Sequence, residues 1–292
     1  MKLQFATAAT ALFLFAGGAA AQTAPAPAQP APVVREIAKI AGEVYRFRNN
    51  FHYSIFVVTP DGAIVTDPIN AAAAQWLKDE IKSRFGRPVR YVVLSHDHAD
   101  HSSGGEVFAQ DGAVVVAHER ARDAIVGEKR PTAVPQLTFN DRMTLELGGA
   151  TLELIHVGRN HSDNSIVMRL PKERIVFAVD FIPVKAVAFR DFPDAYVAEW
   201  IDSLRAVEAL EFDILAPGHG PLGSKADVTA FREYMEDLRG QVLALARAGK
   251  GAEEAKQLVD LSKYKAWMGF EQMAGLNVEG MHRHVQATRR AN

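Results

Sequence analysis

No cysteine occurs among the 292 residues. Disulfides are therefore excluded, and so is a lipid anchor attached through an N-terminal cysteine. Any transition metal in this chain has to be held by nitrogen and oxygen donors rather than by thiolates. An excess of one charge is missing as well, since 33 Lys and Arg face 35 Asp and Glu for a formal net charge of −2. With the basic residues scattered, no nucleic-acid partner or anionic membrane surface is expected. The apolar stretch at 5–16 falls short of the roughly 20 residues that cross a bilayer.

That stretch has another reading. Met1-Lys2 precedes it and Gly17-Gly18-Ala19-Ala20-Ala21 follows it, which gives the charged start, apolar middle and small-residue end of a secretory signal. Residues 1–21 are expected to be a cleavable signal peptide, leaving no membrane anchor and placing the protein in the periplasm or outside the cell. Residues 22–34 are dominated by Ala, Pro, Gln and Thr, a composition that cannot bury a core and reads as a tether. The remainder, 35–292, is long enough for one large domain and leaves little room for a second.

Strand patterns occupy 42–48, 52–58 and 63–66, the last two joined through Thr59-Pro60-Asp61-Gly62 as a hairpin. Ala73, Trp76, Leu77, Ile81 and Phe85 then recur at helical spacing, closed by Gly86 and Pro88. A strand follows at 89–94, so the helix is expected to form a crossover lying on the sheet. Further strands are expected at 113–117, 143–147, 151–157, 165–170, 174–181 and 212–216, and helices at 118–126, around Val197 to Val207 and from Val228 to Leu245. Strand runs with helices before, between and after them predict an α/β fold of four layers, αββα, with two sheets face to face. Residues 251–292 form a further helical segment whose purpose the sequence leaves open.

The chemistry is concentrated in His96-Asp97-His98-Ala99-Asp100-His101, just after the apolar strand Arg90-Tyr91-Val92-Val93-Leu94-Ser95. Imidazole and carboxylate are donors that Zn²⁺ accepts, and a strand end holds several of them on rigid backbone. His96 and His98 are two residues apart and point the same way from extended backbone, whereas Asp100 and His101 can face a second position after the chain turns. Two ligands per ion are too few. Three further donors lie in suitable settings: His161 between two strands, Asp180 at the end of Ile175-Val176-Phe177-Ala178-Val179, and His219 in Pro217-Gly218-His219-Gly220. A carboxylate at the end of so apolar a strand costs several kcal/mol unless it is partnered.

The order His-x-His-x-Asp-His, then His161, Asp180 and Pro-Gly-His-Gly resembles the metallo-β-lactamase superfamily over about residues 42–222. The resemblance implies two Zn²⁺ per chain, the first held by His96, His98 and His161, the second by Asp100, His101 and His219, with Asp180 bridging. It implies that Asp67 accepts a hydrogen bond from a ligand imidazole and fixes its tautomer. The expected reaction is hydrolysis of a small-molecule substrate by a metal-bridging hydroxide, with Asp100 orienting the nucleophile and passing its proton.

Substrate is less legible than reaction type. Asp180 stands where zinc β-lactamases place Cys or Ser, and so looks more like glyoxalase II, lactonases and other general hydrolases of this superfamily. The signal pattern argues against glyoxalase II itself. Hydrolysis of a small ester, thioester, lactone or similar carbonyl compound is expected, with β-lactam hydrolysis as the alternative, primary or promiscuous. Iron-dependent redox chemistry and a non-catalytic metal-binding accessory role are the readings from other classes. His52, at the start of the first hairpin, and Lys185 and Arg190, which follow Asp180, are candidate substrate contacts, the two cations being read first as solvated surface charge. His118 is read as capping a helix or lying on the surface, His156 as a core or sheet-face residue, and His282 and His284 as solvated. The sequence does not set the oligomeric state.

Overall fold

Short β-branched and aromatic runs build two sheets. A computed structural model describes residues 32–288; the expected signal peptide and most of the expected tether lie outside them. The chain enters through β1 (Arg35–Ala41), β2 (Val44–Asn49), β3 (His52–Thr59) and β4 (Gly62–Thr66), paired antiparallel in succession. Gly62 closes the expected hairpin at φ +140°, where a Cβ would lie 2.5 Å from Arg90 Cγ. Helix α1 (Ala71–Phe85) is capped at one end by the Asn70 side chain, which accepts from Ala73 N, and at the other by Gly86 at φ 64°. It crosses over to β5 (Val89–Val93), which runs parallel to β4.

Two one-turn helices follow, α2 (Ala99–Ser102) and α3 (Glu106–Ala109), then β6 (Val114–His118), α4 (Glu119–Gly127) and β7 (Leu137–Phe139). The first sheet has seven strands in sequence order. The second is made of β8 (Arg142–Leu147), β9 (Ala150–His156), β10 (Ile166–Leu170), β11 (Ile175–Phe177) and β12 (Ile214–Ala216), with α5 (Val197–Glu208) crossing between the parallel pair β11 and β12. Helices α6 (Lys225–Arg247), α7 (Ala252–Leu258) and α8 (Phe270–Thr288) complete the chain.

Strand alternation sorts the side chains into three cores, which produces the four layers. Phe56 and Val65 pack with Leu77, Ile81, Phe108 and Ile125 from α1, α3 and α4. Val57 and Ile64, on the opposite face, meet Leu154, Met168 and Phe177 between the sheets. Val167 and Val176 leave the second sheet outward toward Trp200, Leu204, Phe231 and Leu238 of α5 and α6. The αββα arrangement is thus the one the element order predicts.

Three local differences have physical causes. β1 alternates exposed and half-buried residues and carries Arg35, Glu36 and Lys39, the charged pattern of a protected edge strand rather than an apolar run. β7 is only three residues long and also lies on an edge. The strand expected at 174–181 stops at Phe177 because the next residues pair with the neighbouring loop instead: Ala178 N donates to Ala216 O at 3.1 Å, and Gly218 N to Val179 O at 2.9 Å.

The C-terminal segment packs on α6. Asn277 of α8 is buried; it accepts from Tyr234 Oη at 2.5 Å, donates to Ala188 O at 3.0 Å and also donates to Arg190 O. His282 and His284 are half-buried rather than solvated, because α8 lays His282 against Lys250 O in the α6–α7 connection and His284 against Phe192 O in the loop after β11.

Candidate metal centre

Asp100 and His101 lie in the short helix α2, and the other expected donors lie just beyond strand ends. Asp67 follows β4, His96 and His98 follow β5, His161 joins β9 to β10, Asp180 follows β11 and His219 follows β12. Ends of parallel strands are where a rigid scaffold presents loops to a ligand. The backbone at Asp67 takes φ 33°, a left-handed conformation that a non-glycine residue holds only when its surroundings dictate it.

The donors fall into two groups, His96, His98, His161 and Asp180 in one, His52, Asp100, His101 and His219 in the other, each with one ligand atom per residue and all such atoms within 4.8 Å of one another. Asp180 joins the two. Its Oδ2 lies 3.5 Å from His96 Nε2 and 3.6 Å from His161 Nε2, while its Oδ1 lies 3.2 Å from His101 Nε2 and 3.3 Å from His219 Nε2. One carboxylate therefore turns one oxygen to each group.

A metal fits these residues on two counts. Imidazole nitrogens face each other at 3.0 Å (His161 Nε2 and His98 Nδ1) and 3.2 Å (His101 Nε2 and His219 Nε2), an approach of lone pairs that needs a cation or a proton between them. The buried His96 Nε2 and Asp180 Oδ1 have no hydrogen-bond partner, and orphaned buried polar atoms are costly unless something else satisfies them. The set contains only nitrogen and oxygen donors, with imidazole in the majority, which suits zinc and related transition metals.

Supporting residues settle which nitrogen His96 and His219 turn inward. Ser95 Oγ donates to Asp67 Oδ2 at 2.7 Å, so it must accept from His96 Nδ1 at 2.9 Å, leaving His96 Nε2 as the free donor atom. His219 Nδ1 donates to the carbonyl of Phe51 at 2.9 Å. Asp67 also receives Ser95 N at 2.7 Å and stands 3.5 Å from His101 Nδ1; its tie to His96 runs through Ser95. Asp97 accepts from Asn164 Nδ2 at 2.8 Å and from Arg130 at 3.0 Å, clamping the His96 loop to the His161 loop. Gly218 is required beside His219, because a Cβ there would meet Val179 Cγ1 at 2.3 Å and His101 Cε1 at 2.9 Å.

Electrostatics match. Burial opposes ionisation of Asp180, but the charge on His101 and the close approach of the surrounding imidazoles outweigh it and hold its pKa well below the usual carboxylate value. Burial likewise works against charge on His101, yet Asp180 raises its pKa well above the ordinary imidazole value. Burial pushes His161 down to about 4 and lowers His98 as well, with His96 adding to the latter effect. For Asp100 burial is again opposed, here by the bond from His52 and the charge on His101, and the net shift is downward.

His52 is brought into the cluster, its Nε2 3.2 Å from Asp100 Oδ2. Lys185 and Arg190 are exposed, and neither makes an ion pair or a side-chain hydrogen bond among the described residues. His118 caps α4, accepting from Arg120 N, and its ring packs on that of His156 at 4.3 Å. Ser95, Asn164, Arg130 and Asp194 were not singled out by sequence. Their types are common in loops, and only Ser95, next to His96, carried a positional signal. A cleft of about 530 Å³ opens beside His98, lined among others by Asp97, Arg120, Arg130, Asp194 and Tyr196.

The sequence model of the Metallo-beta-lactamase superfamily matches residues 48–219. The chain is similar to the 2,4-dinitroanisole O-demethylase subunit alpha of Nocardioides sp. (strain JS1661), 25% identical over 214 residues, covering 72% of this chain and 65% of that protein. It is similar to the metallo-beta-lactamase type 2 of Bacillus cereus, 27% identical over 154 residues, covering 51% of this chain and 59% of that one. It therefore spans less than two thirds of the length of either. The solved structure of a metallo-beta-lactamase from Pontibacter korlensis superposes with a TM-score of 0.63 at 24% identity, over 70% of this chain and 99% of that one, which shows the shared fold.

Proposed function

The chain belongs to the metallo-beta-lactamase superfamily, and from that premise we propose that it is a dinuclear zinc hydrolase cleaving a small ester, thioester, lactone or related carbonyl compound. It is a superfamily hydrolase with His and Asp clusters suited to metal; the two zinc ions and the substrate class are this reading's additions. The observation that carries it is Asp180, with one carboxylate oxygen turned to each donor group.

Zinc at these positions would lower the pKa of a coordinated water to about 7 and polarise a substrate carbonyl. The chain's own residues supply the rest. Asp100, its side chain 52% exposed at the edge of the cluster and ionised at neutral pH, accepts a proton at its carboxylate from the attacking water and delivers it to the leaving group. Asp67 and Ser95 hold the His96 tautomer so that no proton competes at Nε2. Phe51, whose carbonyl anchors His219, is exposed, as is Met268, whose Cε sits beside Gly220; together they offer apolar surface at the rim for a substrate with a small apolar portion. The N-terminal signal pattern supports a periplasmic or secreted location.

Hydrolysis of β-lactams is the second reading, supported by the similarity to proteins of that name. Asp180, in the place of their Cys or Ser, makes it the secondary one. The test is metal analysis of protein purified without added metal, followed by assay against a thioester, a lactone, an aryl ester, nitrocefin, an aryl methyl ether and a bis-phenyl phosphate ester. Two zinc per chain and carbonyl hydrolysis abolished by chelation and restored by zinc are expected. Turnover undiminished in metal-free protein, or iron with no hydrolysis of any substrate, overturns the proposal.

A further inference from the structure

The second donor group contains one imidazole more than the family pattern assigns. We propose that His52 is itself a ligand of the second metal, so that this position is enclosed by three imidazoles and the Asp100 carboxylate, with Asp180 Oδ1 behind them. The inference rests on the dinuclear reading above and adds a residue to it.

The geometry places His52 as a donor rather than a bystander. Its Nε2 is 3.2 Å from Asp100 Oδ2, and its ligand atom falls within the same 4.8 Å envelope as those of Asp100, His101 and His219. Its ring centroid lies 4.7 Å from that of His219, edge to face, and 5.6 Å from that of His101, and those two rings are 5.1 Å apart, so the three are mutual neighbours. The first group is built the same way, with three imidazoles, His96, His98 and His161, and one carboxylate. Without His52 the second position has only two nitrogens.

The backbone holds His52 in place before any metal arrives. Asn50 takes φ 56° in the turn that reverses β2 into β3, and His52 pairs with Asn49 as the first residue of β3. Tyr53 N donates to Gly218 O at 2.8 Å, and His219 Nδ1 donates to Phe51 O at 2.9 Å. Arg46 donates to Pro217 O at 3.2 Å and Gly220 O at 2.6 Å while its guanidinium lies 3.6 Å over the Tyr53 ring. The hairpin tip and the His219 loop are thereby one unit. A ligand already positioned loses little entropy on binding, and an extra imidazole favours zinc-type ions over hard oxygen-preferring ones.

The probe is cobalt(II), loaded into the full-length metal-free protein. The readouts are retention against a competing chelator and the proton NMR lines of histidine rings shifted by the paramagnetic ion. His52→Ala is expected to release one of two cobalt equivalents at a chelator concentration about tenfold or more below that needed for the unaltered chain, with loss of one set of shifted ring signals. His52→Gln keeps a side-chain amide able to donate to Asp100, so a residue that only braces Asp100 would be rescued by it; a ligand would not. Full retention and an unchanged set of shifted signals in His52→Ala, or complete rescue by Gln, overturns the inference. Failure of the unaltered chain to take up two equivalents instead overturns the dinuclear reading on which it stands.

Discussion

Asp194 Oδ2 lies 3.2 Å from His98 Nε2, across the ring from the Nδ1 that faces His161 at 3.0 Å. A carboxylate at that distance electrostatically favours the tautomer that carries its proton on Nε2 and leaves Nδ1 free as a donor atom. The residue comes from the loop between β11 and α5, and it lines the cleft beside the cluster.

Asp194→Asn should therefore weaken metal binding at the first group. Because the Asp194 side chain is 60% exposed, the loss should sit at the low end of the range for such supporting partners, about tenfold. Competition titration of zinc against a chromophoric chelator measures it. An affinity equal to that of the unaltered chain would show that this contact orients nothing.

Ser95→Ala removes the hydroxyl that links Asp67 to His96. The His96 ring is then free to carry its proton on either nitrogen, and zinc affinity should fall about 10- to 100-fold. The fold should lose about 1–3 kcal/mol in denaturant melts, since the buried Asp67 carboxylate loses a donor. Ser95→Thr, which keeps the hydroxyl, should recover most of the affinity; if Ala and Thr behave alike, the relay is not made through this oxygen.

Asn277→Ala should cost about 2–3 kcal/mol, because Tyr234 Oη loses its acceptor and Ala188 O and Arg190 O lose a buried donor. The loop it holds leads to Asp194, so KM should rise along with the fall in Tm. Unaltered thermal stability would contradict the buried network.

For metal-free protein the pH dependence has a defined sign. His101 and His219 have raised pKa values: burial opposes charge on both, and Asp180 more than compensates. The stability they contribute is complete below the ordinary imidazole value of 6.5 and is lost as pH rises through their folded values. Asp180 is depressed, so its contribution is complete above the ordinary 3.8 and is lost as pH falls through its folded value. His161, lowered to about 4, and His98, also lowered, act in the opposite sense and cost stability as pH falls below 6.5, so metal-free Tm should be highest near pH 6.5 and decline on both sides. Zinc, which replaces those protons, should remove the alkaline decline. A metal-free Tm that climbs steadily from pH 6 to 9 would contradict the charge pairing within the cluster.

His-x-His-x-Asp-His, the isolated His161, the Asp180 that ends an apolar run and Pro-Gly-His-Gly were all legible because each places a costly polar group where apolar sequence predicts rigid, buried backbone. Alternation and helical periodicity likewise revealed most elements and the αββα order, since they depend on which face of a strand or helix meets a core. The edge strands β1 and β7 escaped, one charged and one only three residues long, because edges need no continuous apolar face.

What the chain's order alone determined was the inventory of donors and the scaffold type, both of which follow from local chemistry and spacing. Tertiary structure decided that Asp180 divides its oxygens between two groups, that His52 joins the second of them, that Ser95 links His96 to Asp67, and that Asp194 stands beside His98. These facts depend on contacts between residues tens to more than a hundred positions apart, such as His52 with Asp100 and Phe51 with His219. Such contacts are set by how two sheets and their loops pack, a property that no window of sequence contains.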